Sequence, residues 1–171
     1  PALGTRRLDP DIDRATELTI SFCAADAEVT ARLLAGAAPT TDLLAIAAAR
    51  TITEWRRQRG QPTPIPLLAL ETHGRADRLL DAETGDTLGL FSAIYPLRVD
   101  PASRALPSVG GPAAADGIDY ALLRYLRADT AAVLGVHPDP QLLLNYVGRI
   151  HSGTAGAALM PDRALLAGVS G

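Results

Sequence analysis

The stretch from Ile65 to Val99, IPLLALETHGRADRLLDAETGDTLGLFSAIYPLRV, decides how the rest of the chain is read. It opens on an apolar run, Ile65–Leu70, as a strand covered on both faces would. The run ends on a charged turn, Glu71-Thr72-His73-Gly74-Arg75. A second apolar run begins at Leu88 and predicts a strand over Leu88–Val99. Pro96 inside that run cannot donate to a ladder and argues for an edge or a bend. An acid, an imidazole, a glycine and a guanidinium thus gather at the mouth of a buried strand. Loops at the ends of buried strands are where rigid scaffolds hold chemistry.

Working towards the N-terminus, Thr40, Thr41 and Asp42 supply a helix start, and Gly60 and Pro62 a stop. Leu44, Ala47, Ala48, Thr51, Ile52 and Trp55 repeat at the spacing of one helix face. Arg56, Arg57 and Arg59 fall in the last turn, where cations suit the helix dipole and a solvated end accounts for them. Further upstream, Asp26 is an N-cap for a helix with Val29, Leu33 and Ala37 at helical spacing, and Gly36 is its stop. Glu17–Cys23 alternates apolar and polar residues and predicts a half-buried strand.

Working towards the C-terminus, 100–116 is rich in Pro, Gly and Ala and reads as a loop. Gly117–Leu134 predicts a helix with Leu122, Leu123 and Leu126 inward and Arg124 and Arg127 outward. Leu142–Val147 predicts a buried strand that carries Asn145 and Tyr146 and ends at Gly148. The tail offers one short strand near Ala157–Met160. Strands alternating with helices make an α/β domain, a sheet with helices mainly on one side. No repeat divides the 171 residues, and the chain reads as one domain.

Bulk properties exclude several function classes. The net charge is −3, every basic residue is arginine, and no arginine cluster is large enough for a nucleic-acid footprint. Cys23 is the only cysteine, which fits a reducing cytoplasm and leaves no cysteine-rich metal site. His73, His137 and His151 lie far apart and lack metal-ligand spacing. No apolar run could span a bilayer. The opening PALGTRRLDP has neither an initiator Met nor a signal-peptide core, and reads as a cut inside a longer polypeptide.

Two readings of the charged turn stand side by side. Glu71 leaves a buried strand, and a desolvated carboxylate can act as general acid or base near neutrality. Alternatively Glu71 pairs with Arg75 as a structural ion pair. Gly74 permits a turn that a side chain would strain, and His73 is a proton carrier or a hydrogen-bonded structural residue. Asn145 and Tyr146, polar among leucines, either satisfy neighbouring loops or face a substrate channel, because a buried amide left alone costs ~1–3 kcal/mol. There is no G-x-S-x-G elbow, P-loop or G-x-G-x-x-G. Gly110-Gly111 lies in the Pro/Ala loop.

Taken together, four segments in order resemble motifs of the epimerization domains of nonribosomal peptide synthetases, members of the condensation superfamily. The E-G-H-G-R-E motif is similar to Glu71-Thr72-His73-Gly74-Arg75-Ala76, with Thr and Ala at its second and last positions. The R-T-V-G-W-F-T-x-x-Y-P-x-x-L motif resembles Asp86–Val99, with Leu90 in place of Trp. The G-x-G-Y-G motif is similar to Gly117-Ile118-Asp119-Tyr120-Ala121, followed by a family-like LLRYL. The F-N-Y-L-G-Q/R motif resembles Leu144-Asn145-Tyr146-Val147-Gly148-Arg149. TTDLLAIAAA loosely resembles the family's D-x-L-L-x-A. Condensation domains proper usually carry I-G-x-F-V-N-T where this chain has LGLFSAIYP, which tilts the resemblance to epimerization.

The resemblance implies a C-terminal subdomain, residues 1–171, of a two-lobed α/β enzyme of chloramphenicol-acetyltransferase-like fold. Its mixed sheet would carry helices mainly on one face. The paired-His motif H-H-x-x-x-D-G would belong to an absent N-terminal lobe. The resemblance further implies catalytic roles for Glu71, Asn145 and Tyr146, a supporting turn of His73, Gly74 and Arg75, and a tunnel wall including Phe91, Tyr95 and Tyr120. No metal and no directly bound cofactor is implied. The substrate would be an aminoacyl or peptidyl thioester on the phosphopantetheine arm of a peptidyl carrier domain. Partners would be the N-terminal lobe, that carrier and neighbouring modules in the cytoplasm, with no nucleic acid or membrane. The alternatives are a condensation-type domain forming peptide bonds, or a non-catalytic lobe that docks carriers.

Overall fold

The strand β1, Leu67–Thr72, is the centre of the sheet. It comes from a computed structural model that describes residues 3, 9, 11–36, 38–75, 77, 81, 83–102 and 117–148. On one side β1 pairs antiparallel with β2, Ala93–Arg98, in the register Leu68↔Leu97, Leu70↔Tyr95 and Glu71↔Ile94. On the other it pairs parallel with β3, Leu143–Asn145, in the register Leu70↔Leu144 and Glu71↔Asn145. The sheet is therefore mixed, in the order β2-β1-β3. Pro96 sits on an outer strand of the described sheet, where its missing N–H leaves no gap in a ladder.

The core follows from the period of two. Leu68 and Leu70 are each 1% exposed, while Leu67, Ala69 and Glu71 on the opposite face are half-buried. Burying each leucine is worth about 1.5–3 kcal/mol. Against the Leu68 side lies helix α2, Thr40–Gln58, through Ala45, Ile46 and Ala49, with Val99 completing the cluster. Ala45 and Ala49 are fully buried, and their small side chains let the helix backbone approach the strands. Arg50 Nε donates to the Pro101 carbonyl at 3.2 Å, tying α2 to the segment after β2.

Helix α1, Ala27–Ala35, starts where Asp26 Oδ1 accepts the Val29 N–H at 2.7 Å, and ends before Gly36. Helix α3, Ile118–Ala121, runs into a π-helical turn, Leu122–Leu126; α4, Ala128–Gly135, follows. Thr130 Oγ1 donates to the Leu123 carbonyl at 2.6 Å across that junction. The α/β class with helices on a mixed sheet agrees with the sequence reading. Among the described residues no helix is long and apolar enough to cross a membrane.

The chain divides into two units, Pro1–Pro1 with Ala31–Tyr146, and Ala2–Thr30 with Val147–Gly171. The first contains the sheet and α2. The second contains a 3-10 turn, Ala15–Glu17.

Several sequence expectations need correction. Glu17–Cys23 is not a half-buried strand: Leu18 and Phe22 are 72% and 76% exposed and no ladder forms. Alternation names the face a strand would bury, but not a neighbour to bury it. β1 does not stop at Glu71, because both its neighbours continue the ladder to that residue. β2 begins only at Ala93, and Leu88 and Leu90 are 98% and 95% exposed. The buried face of α2 runs through Ala45, Ile46 and Ala49, leaving Ala47 and Thr51 exposed. In so alanine-rich a helix, adjacent faces are nearly equal in hydropathy. Arg56 is buried at 7% exposure rather than solvated. The expected single helix over Gly117–Leu134 is broken, and Leu122, Leu123 and Leu126 are all exposed while Arg124 is half-buried. β3 is three residues long and alternates, with Leu143 half exposed. Ala37, the loop at 103–116, the tail strand at 157–160, Ala76, Arg149 and His151 lie outside the described residues.

Candidate active site

Because β1 and β3 run parallel, their carboxyl ends lie side by side, the place where α/β sheets present ligand-binding groups. Glu71 and Asn145 are direct partners there. Asn145 Nδ2 donates to Glu71 Oε2 at 3.0 Å, a contact between residues 74 apart in sequence. A carboxylate only accepts, so the amide must present its NH2 to it and leaves its own carbonyl oxygen pointing elsewhere. Glu71 is half-buried. Among the described residues no donor reaches its Oε1. One carboxylate oxygen is thereby fixed and the other is available. Tyr146 follows at the end of β3 and is half-buried.

The turn after β1 is held by a frame of its own. Gly74 has φ +62°, and a Cβ there would overlap the Phe91 carbonyl oxygen. Only glycine accepts both the left-handed backbone and that approach. His73 Nδ1 accepts the Arg75 N–H at 3.0 Å. The Arg75 guanidinium lies 4.5 Å above the Phe91 ring and donates to the carbonyls of Thr84 and, at 3.1 Å, Thr87. Asp77 accepts from both the Thr84 hydroxyl and the Thr84 N–H. Those two bonds, the hydroxyl's first, hold the Asp77 carboxyl below the usual carboxylate range, with smaller help from Arg75 and His73.

This frame separates the two sequence readings of the turn. Arg75 is committed to Thr84, Thr87 and Phe91, and Glu71 is bonded to Asn145, so the Glu71–Arg75 ion pair is not what the structure builds. Phe91 lies beneath Arg75, next to the turn. Tyr95 is placed opposite Leu70, and its ring would collide with any Cβ on Gly117, whose φ is +83°. Tyr120 lines a cavity of about 300 Å³ with Leu67 and Pro96; neither Glu71 nor Asn145 belongs to that lining. Sequence reasoning missed the Asp77–Thr84 clasp. The signal available for it was the turn composition of Glu83-Thr84-Gly85-Asp86, which names a turn but not its anchor.

No family model and no solved structure matches the chain. Curated relatives do. A component of the linear gramicidin synthase of Brevibacillus parabrevis is 33% identical over 136 residues, 69% of this chain and 2% of that protein. A component of the plipastatin synthase of Bacillus subtilis (strain 168) is 29% identical over 160 residues, 79% of this chain and 4% of the relative. Chondramide synthase cmdD of Chondromyces crocatus is 32% identical over 126 residues, 70% of this chain and 3% of the relative. The chain thus spans only a few per cent of the length of these relatives. They are nonribosomal peptide synthetases, and the chain is related to one short segment of such proteins.

Proposed function

We propose that the chain is the C-terminal lobe of an epimerization domain in a nonribosomal peptide synthetase. Such a domain interconverts the L and D forms of an aminoacyl or peptidyl thioester held on a carrier domain's phosphopantetheine arm. The observation that carries this reading is the Asn145–Glu71 hydrogen bond, which joins two of the four family-like motifs at the carboxyl ends of parallel strands.

In this reading Glu71 Oε1 takes the α-proton while Oε2 stays with Asn145. The C–H electron pair moves towards the thioester carbonyl and forms an enolate. An acid on the opposite face then returns a proton to the same carbon. Only a C–H bond breaks and re-forms, so the thioester survives and no redox partner is needed. The second acid would come from the paired-His motif of an N-terminal lobe. Tyr146 would steady the enolate oxygen, as a fixed donor does for a developing oxyanion. His73, Gly74 and Arg75 would hold the turn that aims Glu71.

The test uses the whole synthetase module loaded with an aminoacyl thioester, and reads deuterium wash-in at Cα. Glu71→Gln is expected to slow exchange roughly 10²–10⁴-fold, the usual worth of a positioned acid–base group. Undiminished exchange in that variant would remove Glu71 from the chemistry. Amide formation without wash-in would assign the domain to condensation instead. Carrier binding with neither activity would leave a docking lobe.

A further inference from the structure

Four residues before Glu71 on the same face of β1, Leu67 helps to line the cavity of about 300 Å³. At roughly 3.3 Å per residue the two positions stand about 13 Å apart along the strand, so the cavity is a separate place from the Glu71–Asn145 pair. Its walls are sorted by polarity. The half-buried residues Leu67, Pro96, Tyr120 and Leu134 form an apolar floor, and the exposed residues Arg98, His137 and Asp139 stand at the rim. Arg98 is carried by the last position of β2, and Asp139 by the proline-bounded segment that leads into β3. Among the described residues, neither the Arg98 nor the Asp139 side chain has a hydrogen-bond or ion-pair partner.

We propose that this cavity binds a free apolar α-amino acid, with its side chain on the floor and its charged head at the rim. The carboxylate would meet Arg98 and the ammonium Asp139. The rim decides the class: an apolar anion would have to face Asp139, and an apolar cation Arg98, whereas a zwitterion answers both charges. The volume lies at the low end of the about 300–1,000 Å³ range of small-molecule sites, which suits a compact ligand of leucine or phenylalanine size. The mostly apolar lining with a few convergent polar groups is the usual make-up of such a site. The proposal is independent of the epimerase reading, because it uses neither Glu71 nor any carrier-bound substrate.

The test titrates this chain with L-leucine and follows amide shifts of Leu67, Tyr120 and Leu134. Two analogues accompany it, 4-methylpentanoate without the ammonium and isoamylamine without the carboxylate. Leucine is expected to bind roughly tenfold or more tightly than either, since each analogue forfeits a charge-assisted contact. Arg98→Gln should reduce leucine to the affinity of isoamylamine, and Asp139→Asn to that of 4-methylpentanoate. Both side chains are exposed, and circular dichroism checks that the variants keep their fold. Equal affinity for the three ligands would overturn the proposal. So would the absence of a saturable shift at those residues, or leucine binding indifferent to both substitutions.

Discussion

Gly74 shows how much one missing side chain can carry. Its left-handed backbone and its contact with the Phe91 carbonyl both forbid a Cβ. Gly74→Ala is expected to destabilise the chain by about 1–3 kcal/mol, measured by urea unfolding. It should also expose the Thr84 amide to hydrogen exchange, because the clasp beneath the turn must shift. Asp77 gives that clasp a pH dependence. Its folded pKa is depressed, so its contribution is full above the ordinary carboxylate pKa and is lost as pH falls through the lower folded value. Protection of the Thr84 amide should therefore persist at mildly acidic pH and fade only below the usual carboxylate range; Asp77→Asn should remove that dependence. At this scale the sequence showed which residues gather at the turn. It did not show that Arg75 grips Thr84 and Thr87, because a guanidinium with five donors can serve a loop or an acid equally well.

Elements were legible where period and caps agreed. Asp26, Gly36, Thr40 and Gly60 mark helix ends that the structure keeps within a residue or two. The face of α2 was not legible, since alanine at 45, 47, 48 and 49 makes neighbouring faces alike. The structure separates them, and a pair of substitutions tests the result. Ala49→Leu should cost about 1–3 kcal/mol by overpacking the helix against the sheet. Ala47→Leu, on the exposed side, should stay within about 0.5 kcal/mol; both are read from thermal unfolding. On the outer surface of α2, Arg57 holds Glu54 through two 2.7 Å bonds. That contact, helped by Gln58, lowers the Glu54 pKa to about 2. Its stabilising effect is present above the ordinary glutamate pKa and disappears as pH falls through about 2. Both groups are solvent-exposed, so added salt should shrink the difference between wild type and Glu54→Gln in acid melts.

At the scale of the molecule, the α/β class followed from alternating strands and helices, but sheet order did not. Nothing in Leu142–Val147 announces that it lies beside Leu67–Thr72 rather than beside the nearer strand, because short apolar runs carry no address. The same limit hid the Glu71–Asn145 contact, which depends on that parallel pairing. Leu68→Ala, at the centre of the sheet and 1% exposed, should lose about 2–5 kcal/mol in denaturant titration. Leu88→Ser with Leu90→Ser, at positions almost wholly exposed, should leave stability unchanged and reduce self-association in sedimentation. The placement of β3 also sets a schedule for synthesis. Asn145 is made 74 residues after the glutamate it holds. At about 5–20 residues per second, one edge of the central strand stays unpaired for about 4–15 s while the ribosome completes its partner. Through that interval the edge offers bare peptide groups to any passing strand, so nascent chains stalled before Leu142 should be more prone to aggregate than chains released whole.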